Sequence, residues 1–321
     1  FLDVLDENQR QTARFELTSD AWRRWWNIHP FLMRHGLLLE DVADHQRQAA
    51  LRIVEQTLSA SGFRLARDIM RLNHTVGEIT GSWTEYGEWV YFISVFGEPS
   101  DHQPWGWQID GHHLNVSCFV LGDQVVMTPM FMGSEPVTGE SGKWAGIRVF
   151  AAEEQQGLAL WAALSPDQQK QATLGLALPF EGMAAAGRDN VIVPYQGLGW
   201  GDMTAPQRDL LLALVETYTG RIRPGHAQVR FEEVKQHLAD THFGWVSRTA
   251  DGDVFYYRVH SPVILIEFDH PAGVALDNDQ PSRTHIHTMV RTPNGNDYGK
   301  DLLRLHYETS PHHRLPPPLS S

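Results

Sequence analysis

The sequence is poor in two residue types on which common functional sites depend. Its 321 residues include one cysteine, Cys118, and only four lysines. A single cysteine excludes an intrachain disulfide and a cysteine-based zinc cage. No run of 18 apolar residues occurs, so a helix that spans a membrane is not expected.

Motifs for nucleotide binding and for a serine nucleophile are also missing. There is no Walker A motif, and no glycine fingerprint opens a strand–helix–strand unit. The segment Gly139-Glu-Ser-Gly142 lacks the strand–turn–helix context of a nucleophile elbow. The first residues lack the basic segment of a signal peptide, and a cytoplasmic location is therefore the expectation.

Positive charge is scarce as well. The chain has 26 Lys and Arg against 39 Asp and Glu, which gives a formal net charge of −13. A net negative charge of this size disfavours nucleic acid and anionic membranes as partners. Apolar residues make up 42% and charged residues 20%, which is typical of a globular protein.

Helical periodicity is concentrated in separate parts of the chain. Residues 1–80 are predicted to be mainly helical, with apolar residues three and four apart between Gln46 and Leu58. Residues 150–240 are predicted to form several more helices, and residues 299–309 a terminal one. The tail, 311–321, is rich in proline and histidine and is expected to be loosely held.

Two further stretches show the alternation of strands. In the first block, 88–131, we expect residues 105–121 and 125–131 to pair as a hairpin. For the second block, 243–291, the pattern predicts an antiparallel meander. Because helices and strands are clustered separately, we predict one α+β domain over residues 1–321. Its antiparallel sheets would be built from two hairpin-rich blocks and covered by helices.

The strongest chemical signal is the sequence His285-Ile286-His287. On a strand, residues two apart share a face and lie roughly 6.6 Å apart, so two imidazoles can lean towards one ion. A pair of exposed cross-strand histidines is the simplest alternative. Glu267 favours the metal, because it interrupts an otherwise apolar strand and a buried carboxylate needs a cation or donors. Arg258 is the alternative partner for this carboxylate.

A third element is the sequence Gly111-His112-His113-Leu114. If this segment is a strand, adjacent histidines point to opposite faces and only one of them can join the site. We take His112 as the ligand and His113 as a proton-transfer group, although a bulge at Gly111 could exchange them. Together with Glu267, His285 and His287, this gives three histidines and one carboxylate around a divalent transition metal. Zinc is the first choice, and iron, copper, nickel and manganese also suit these ligands.

Other polar and aromatic residues near these motifs could complete an active site. Asp110 and Asp269 flank the proposed ligands and could orient an imidazole or act as a general base. We expect substrate contacts from two tryptophans and three cations: Trp105, Trp107, Arg283, Arg291 and Lys300. The tryptophans would form aromatic walls with Phe131 and Trp245, and the cations could hold a substrate carboxylate.

Several motifs of the chain are similar to those of a catalogued family. They are Trp105-Gly-Trp-Gln-Ile-Asp-Gly-His-His-Leu, Thr128-Pro-Met-Phe-Met-Gly, His285-Ile-His-Thr and Asn296-Asp-Tyr-Gly. With these motifs the sequence resembles the bacterial and fungal family catalogued as domain of unknown function 3500, over residues 8–307. The resemblance implies a single full-length domain whose histidine motifs are the functional core. It does not indicate which reaction the protein catalyses.

The residue types favour an enzyme that acts on a small organic molecule. Metal-assisted hydrolysis or lyase chemistry is the first interpretation, with Asp110, Asp269 or the spare histidine moving a proton. An iron or copper oxygenase is the second, because three histidines and one glutamate also hold the metal of cupin-type dioxygenases. A non-catalytic small-molecule-binding protein with a structural metal is the third.

Overall fold

A computed structural model describes residues 1–29, 34–175, 182–189, 191–247, 253–273, 275–276, 279–293 and 295–310. Eight α-helices lie in these ranges: α1 (Glu7–Ala13), α2 (Asp44–Thr57), α3 (Ala60–Thr80), α4 (Ala151–Ala163), α5 (Pro166–Ala172), α6 (Ala205–Thr219), α7 (Pro224–Gln236) and α8 (Lys300–Thr309). The helical stretches are therefore located as the sequence predicts. The tail from residue 311 lies outside the described residues.

Twelve strands also lie in the described ranges. They are β1 (Arg14–Phe15), β2 (Leu37–Leu38), β3 (Tyr91–Phe96), β4 (Trp105–Gly111), β5 (Leu114–Leu121), β6 (Gln124–Val126), β7 (Met130–Ser134), β8 (Leu198–Gly199), β9 (His242–Ser247), β10 (Phe255–His260), β11 (Leu265–Asp269) and β12 (Ile286–Arg291).

All twelve strands belong to one sheet. Its order is β1-β3-β4-β5-β7-β12-β11-β10-β9-β8, with β2 also on β3 and β6 also on β5. Every pairing is antiparallel except β1 with β3. The two predicted blocks meet where β7 pairs with β12, from Ile286 opposite Ser134 to Val290 opposite Met130. The α+β prediction is confirmed, and the two blocks are halves of one sheet.

Local sequence explains the ends of the long N-terminal helices. The Ser59 side chain accepts a hydrogen bond from the Gly62 N–H and so caps α3, which begins at Ala60. Gly81 ends α3 with φ +75°, a conformation that glycine adopts without strain. The helix therefore runs from Ala60 to Thr80.

The segment predicted as one strand from residue 105 to residue 121 is two strands. Gly111 of β4 lies opposite Leu114 of β5, and His112 and His113 form the two-residue turn between them. His113 has φ +61°, which non-glycine residues rarely adopt. The main partners of β5 are therefore β4 and β7, while β6 forms only a short extension.

The two faces of the sheet differ in polarity. One face carries Ile109, Val116 and Ile266, which share an apolar cluster with buried residues of α2, α3 and α6. Side chains of directly opposite residues share a face, and one such row on the other face is rich in buried polar groups. From β4 to β10 it consists of Asp110, Asn115, Phe131, Met289, Glu267 and Arg258.

Irregular segments cover this polar face. Trp22 stacks on Phe96 with ring centroids 3.8 Å apart, and Trp25 packs in a cluster with Phe131 and Ala184. Both tryptophans are core residues. Asp20–Arg23 forms a 3₁₀ turn, and Trp25 lies beyond its end. None of the helices in the described ranges has the length and apolar content needed to cross a bilayer.

Candidate metal centre

Three histidines meet at one end of the sheet. The Nε2 atom of His285 lies 3.0 Å from Nε2 of His113 and 2.9 Å from Nε2 of His287. One ligand atom from each residue lies within 4.8 Å of the other two. Within the described ranges, no second group of three or more His, Cys, Asp or Glu residues meets this condition.

The strands place these imidazoles from two distant parts of the chain. His287 lies on β12 opposite Gly133 of β7, and His285 lies two residues earlier. The predicted sharing of one face by His285 and His287 therefore agrees with the geometry. His113 reaches them from the β4–β5 turn, where its N–H donates to the Asn27 carbonyl at 3.1 Å. The His113 carbonyl accepts from the Gly133 N–H at 2.8 Å, which ties the turn to β7.

Gly133 leaves room for the cluster. A Cβ atom at this position would lie 2.7 Å from the Ile286 carbonyl oxygen and 3.0 Å from Cδ2 of His287. It would also lie 3.3 Å from Cδ2 of His113. A side chain at residue 133 would therefore push two of the three imidazoles away from their positions.

Burial keeps the cluster uncharged. The exposed fractions of His113, His285 and His287 are only 5%, 4% and 7%. Burial lowers the pKa of His113 and of His287 well below the ordinary value. It lowers the pKa of His285 to about 3, against a smaller rise caused by the Ala272 main chain. Neutral imidazole is the form that binds a metal ion.

The nitrogen–nitrogen distances fit a shared ion. Zinc binds imidazole nitrogen at about 2.0–2.1 Å, which separates two ligand nitrogens by roughly 2.9 Å at a right angle and roughly 3.4 Å at a tetrahedral angle. The separations of 2.9 and 3.0 Å lie at the lower end of this range. Ligand atoms of the third pair, His113 and His287, lie within 4.8 Å of each other.

His112 lies beside the cluster and not in it. Its ring centroid is 4.0 Å from that of His113. Its Nδ1 lies 2.7 Å from Oδ1 of Asn73, whose Nδ2 donates to the Gly87 carbonyl at 2.9 Å. Because Oδ1 can only accept, Nδ1 of His112 carries the proton and Nε2 of the neutral ring has a free lone pair. The structure thus reverses the assignment made from sequence, because His113 and not His112 joins the other histidines.

Glu267 is held elsewhere, which corrects its assignment as a metal ligand. Its carboxylate accepts hydrogen bonds from the main-chain N–H groups of Met183 and Ala184 at 2.8 and 2.7 Å. The Tyr256 hydroxyl donates to it at 2.5 Å. Three donors thus offset the cost of burying this charge. Arg258 donates instead to Sδ of Met183 and to the Pro194 carbonyl.

The two candidate proton-transfer carboxylates have different surroundings. Asp110 forms a buried ion pair with Arg34 at 2.7 Å. Burial raises the pKa of Asp110 to about 6, although Arg34 opposes this rise. Asp269 lies directly opposite His287 in the β11–β12 register and is buried. The register therefore places Asp269 beside the cluster, while Asp110 is held by Arg34.

The two tryptophans predicted to contact substrate lie far from the histidines. Trp105 opens β4 and Gly111 ends it, so roughly 20 Å of strand separates Trp105 from the turn. Trp107 is fully buried in the apolar core, and Trp245 stacks on Trp161. Of the four candidate wall residues, Phe131 contacts one of the three histidines, with its ring edge-on to that of His287 and the ring centroids 5.0 Å apart.

The predicted substrate cations have protein partners. Nε of Arg283 donates to Glu154 at 2.7 Å. Arg291 of β12 donates to the Ala184 and Ala185 carbonyls and so ties the segment around these two alanines to the sheet. It also pairs with Asp297 at 2.8 Å. The Lys300 ammonium lies 5.8 Å from the centre of the Tyr298 ring. These contacts engage the three cations with protein groups, and their assignment as a substrate-carboxylate site stays a prediction.

Two residues near the cluster were missed by sequence reasoning. Glu135 lies in what the sequence presents as a long glycine-rich loop, and its Oε2 is 3.8 Å from Nδ1 of His285. Asn73 lies on α3, where it occupies a buried position of an amphipathic helix. Neither position carries a motif, and only the register of β7 with β12 would have indicated Glu135.

Comparison with known families agrees with the motif resemblance. The family model described as Protein of unknown function (DUF3500) matches residues 1–300, and the chain therefore belongs to this family. No curated protein and no solved structure matches the chain significantly.

Proposed function

We propose that this protein is a metal-dependent enzyme of hydrolase or lyase type that acts on a small organic molecule. The observation that carries the proposal is the meeting of three Nε2 atoms, from His113, His285 and His287, at separations of 2.9 and 3.0 Å. Zinc is the preferred ion, since it commonly binds three imidazoles in catalytic sites.

The number of ligands supports a catalytic role over a structural one. Structural zinc sites are closed by four protein ligands, whereas catalytic sites keep one position for water or substrate. The group found among the described residues supplies three side chains. With Glu267 bound to main-chain N–H groups, the dioxygenase alternative also loses the carboxylate on which it depended.

The surroundings of the cluster offer groups for proton transfer. A bound ion would polarise a carbonyl group or lower the pKa of a water molecule. His112 has an unprotonated Nε2 next to the His113 ring and is suited to accept a proton. Asp269, opposite His287, is suited to orient that imidazole. Phe131 provides an apolar wall against His287.

Elemental analysis of purified protein without a histidine tag tests the site. We expect about one equivalent of transition metal in the wild type, and a loss of most of it in His113→Ala, His285→Ala and His287→Ala. His102→Ala is an exposed control and His112→Ala a neighbouring one, and both should keep the metal. Full metal content in the three ligand variants, or none in the wild type, would contradict the proposal.

A second experiment separates an open site from a closed one. Cobalt-substituted protein should change its visible absorption spectrum when azide is added, because a small anion enters a free coordination position. A spectrum that azide leaves unchanged would favour the structural-metal alternative. If the native metal is iron or copper, and oxygen is consumed with a substrate, the oxygenase alternative would replace hydrolysis.

A further inference from the structure

A second carboxylate lies at the edge of the histidine cluster. The Glu135 and His285 side chains are 1% and 6% exposed, and Oε2 of Glu135 is 3.8 Å from Nδ1 of His285. Ser134, the last residue of β7, pairs with Ile286, the first residue of β12, so Glu135 and His285 lie directly beyond this pair. The paired ends of the two strands therefore bring these two residues together.

The Nδ1 atom of His285 needs an acceptor when Nε2 binds an ion. Nε2 faces the other two imidazoles, and an imidazole that uses Nε2 as a ligand carries its proton on Nδ1. This Nδ1 is buried and makes no hydrogen bond of standard geometry. The Ala272 main chain nevertheless lies close enough to raise the pKa of His285. A buried N–H that lacks an acceptor is costly.

Gly273 lies directly against the Glu135 carboxylate. A Cβ atom at residue 273 would lie 1.9 Å from Oε1 and 2.4 Å from Oε2 of Glu135. The carboxylate thus occupies the space that any side chain at residue 273 would need. The glycine backbone and the His285 ring are thus both neighbours of the same carboxylate.

We propose that Glu135 is a positioning residue of the metal centre, and that its carboxylate accepts a hydrogen bond from Nδ1–H of His285 when Nε2 binds the ion. This inference rests on the proposed function. Such a bond fixes the tautomer and the ring orientation and makes Nε2 a stronger ligand. The contact of 3.8 Å is longer than a hydrogen bond, and we expect it to tighten on metal binding, as contacts of unliganded sites often do.

Zinc affinity, measured by competition with a chelator, tests this role. We expect Glu135→Gln to weaken zinc binding by about 10-fold or more and Glu135→Ala by about 100-fold, the range found for outer-shell partners of metal-binding histidines. Glu88→Gln is the matched control, since Glu88 is also buried but pairs with Arg67 and Lys143. Its zinc affinity should stay within about 2-fold of the wild type.

A double-mutant cycle separates positioning from general structural damage. Gly273→Ala should weaken zinc binding in the wild type by displacing the carboxylate, and should have little further effect in Glu135→Ala. Circular dichroism of the metal-free variants should show a wild-type fold. Wild-type affinity in both Glu135 variants, or a fully additive effect of Gly273→Ala, would overturn the inference. A wild type that binds no zinc would instead defeat the proposed function.

Discussion

The Nε2 atoms of His113 and His285 are 3.0 Å apart, although 172 positions separate the two residues in the chain. The contact exists because β7 pairs with both β5 and β12 and thereby joins the two halves of the sheet. The β4–β5 turn and the start of β12 consequently lie at the same end of the sheet. The candidate site is therefore a product of strand order and not of local sequence.

Gly133→Ala tests the close approach of β7 to the imidazoles. The added methyl group would meet the Ile286 carbonyl and the rings of His287 and His113. Because overpacking of a filled site usually destabilises a protein, we expect the free energy of unfolding to fall by roughly 1–3 kcal/mol. Zinc binding should also become weaker. Gly225→Ala is the control, because nothing lies within 4 Å of its added Cβ. Urea unfolding and zinc titration measure both effects, and unchanged zinc affinity would contradict the account.

Glu267→Gln separates the structural carboxylate from the metal site. Glutamine keeps the size but loses the charge that accepts three hydrogen bonds, so stability should fall by roughly 2–3 kcal/mol. Metal content, measured on the folded fraction, should stay at the wild-type level. Loss of the metal without loss of stability would return Glu267 to the ligand set.

Asn73→Ala tests the tautomer of His112. In the wild type, Nδ1 of His112 should carry the proton, because Oδ1 of Asn73 can only accept. The variant removes this acceptor, and we expect a mixture of tautomers with unchanged metal content. Long-range ¹⁵N–¹H correlation spectra of the imidazoles report the tautomer directly. A wild-type His112 protonated on Nε2 would refute the assignment.

The metal-free protein should lose stability in mild acid. Burial lowers the pKa of His285 to about 3 and that of His112, His113 and His287 well below 6.5. Below pH 6.5 the unfolded chain therefore binds protons that the folded protein does not, and stability decreases as the pH falls. Between pH 7.5 and pH 5.5 each such histidine lowers the free energy of unfolding by about 1.4 kcal/mol.

Protonation of one carboxyl group, that of Asp110, has the opposite effect on stability over the same pH range. The pKa of Asp110 is raised to about 6, so its protonation offsets part of the loss. Urea unfolding in EDTA at pH 7.5 and 5.5 measures the balance. We expect a clear decrease in the free energy of unfolding, and a smaller decrease in a His285→Gln/His287→Gln variant. Equal stability at the two pH values would contradict the burial of neutral imidazoles.

The parts of the site that follow strand periodicity could be predicted. His285 and His287 share a face because side chains alternate along a strand, and that rule needs no tertiary information. The choice between His112 and His113 could not be made, because residues 105–121 read as one uninterrupted strand. Two histidines are unusual turn residues, and the φ of +61° at His113 has no sequence signal.

The error at Glu267 has a different physical origin. A buried carboxylate does need compensation, but the compensating donors are main-chain N–H groups of Met183 and Ala184. Every residue except proline carries such a donor, so composition cannot show which segment folds back to use it. Glu135 was missed for a related reason, because only the β7–β12 register brings it opposite His285.

Anomalous diffraction from zinc-containing crystals of the untagged protein, recorded on both sides of the zinc absorption edge, would locate the bound ion itself. We expect one peak about 2.0–2.1 Å from Nε2 of His113, His285 and His287, with no oxygen of Glu267 bound to it. A cluster without zinc, in which the three imidazoles are joined only by hydrogen bonds, would contradict the proposed metal centre. A zinc peak coordinated by other residues would contradict it as well.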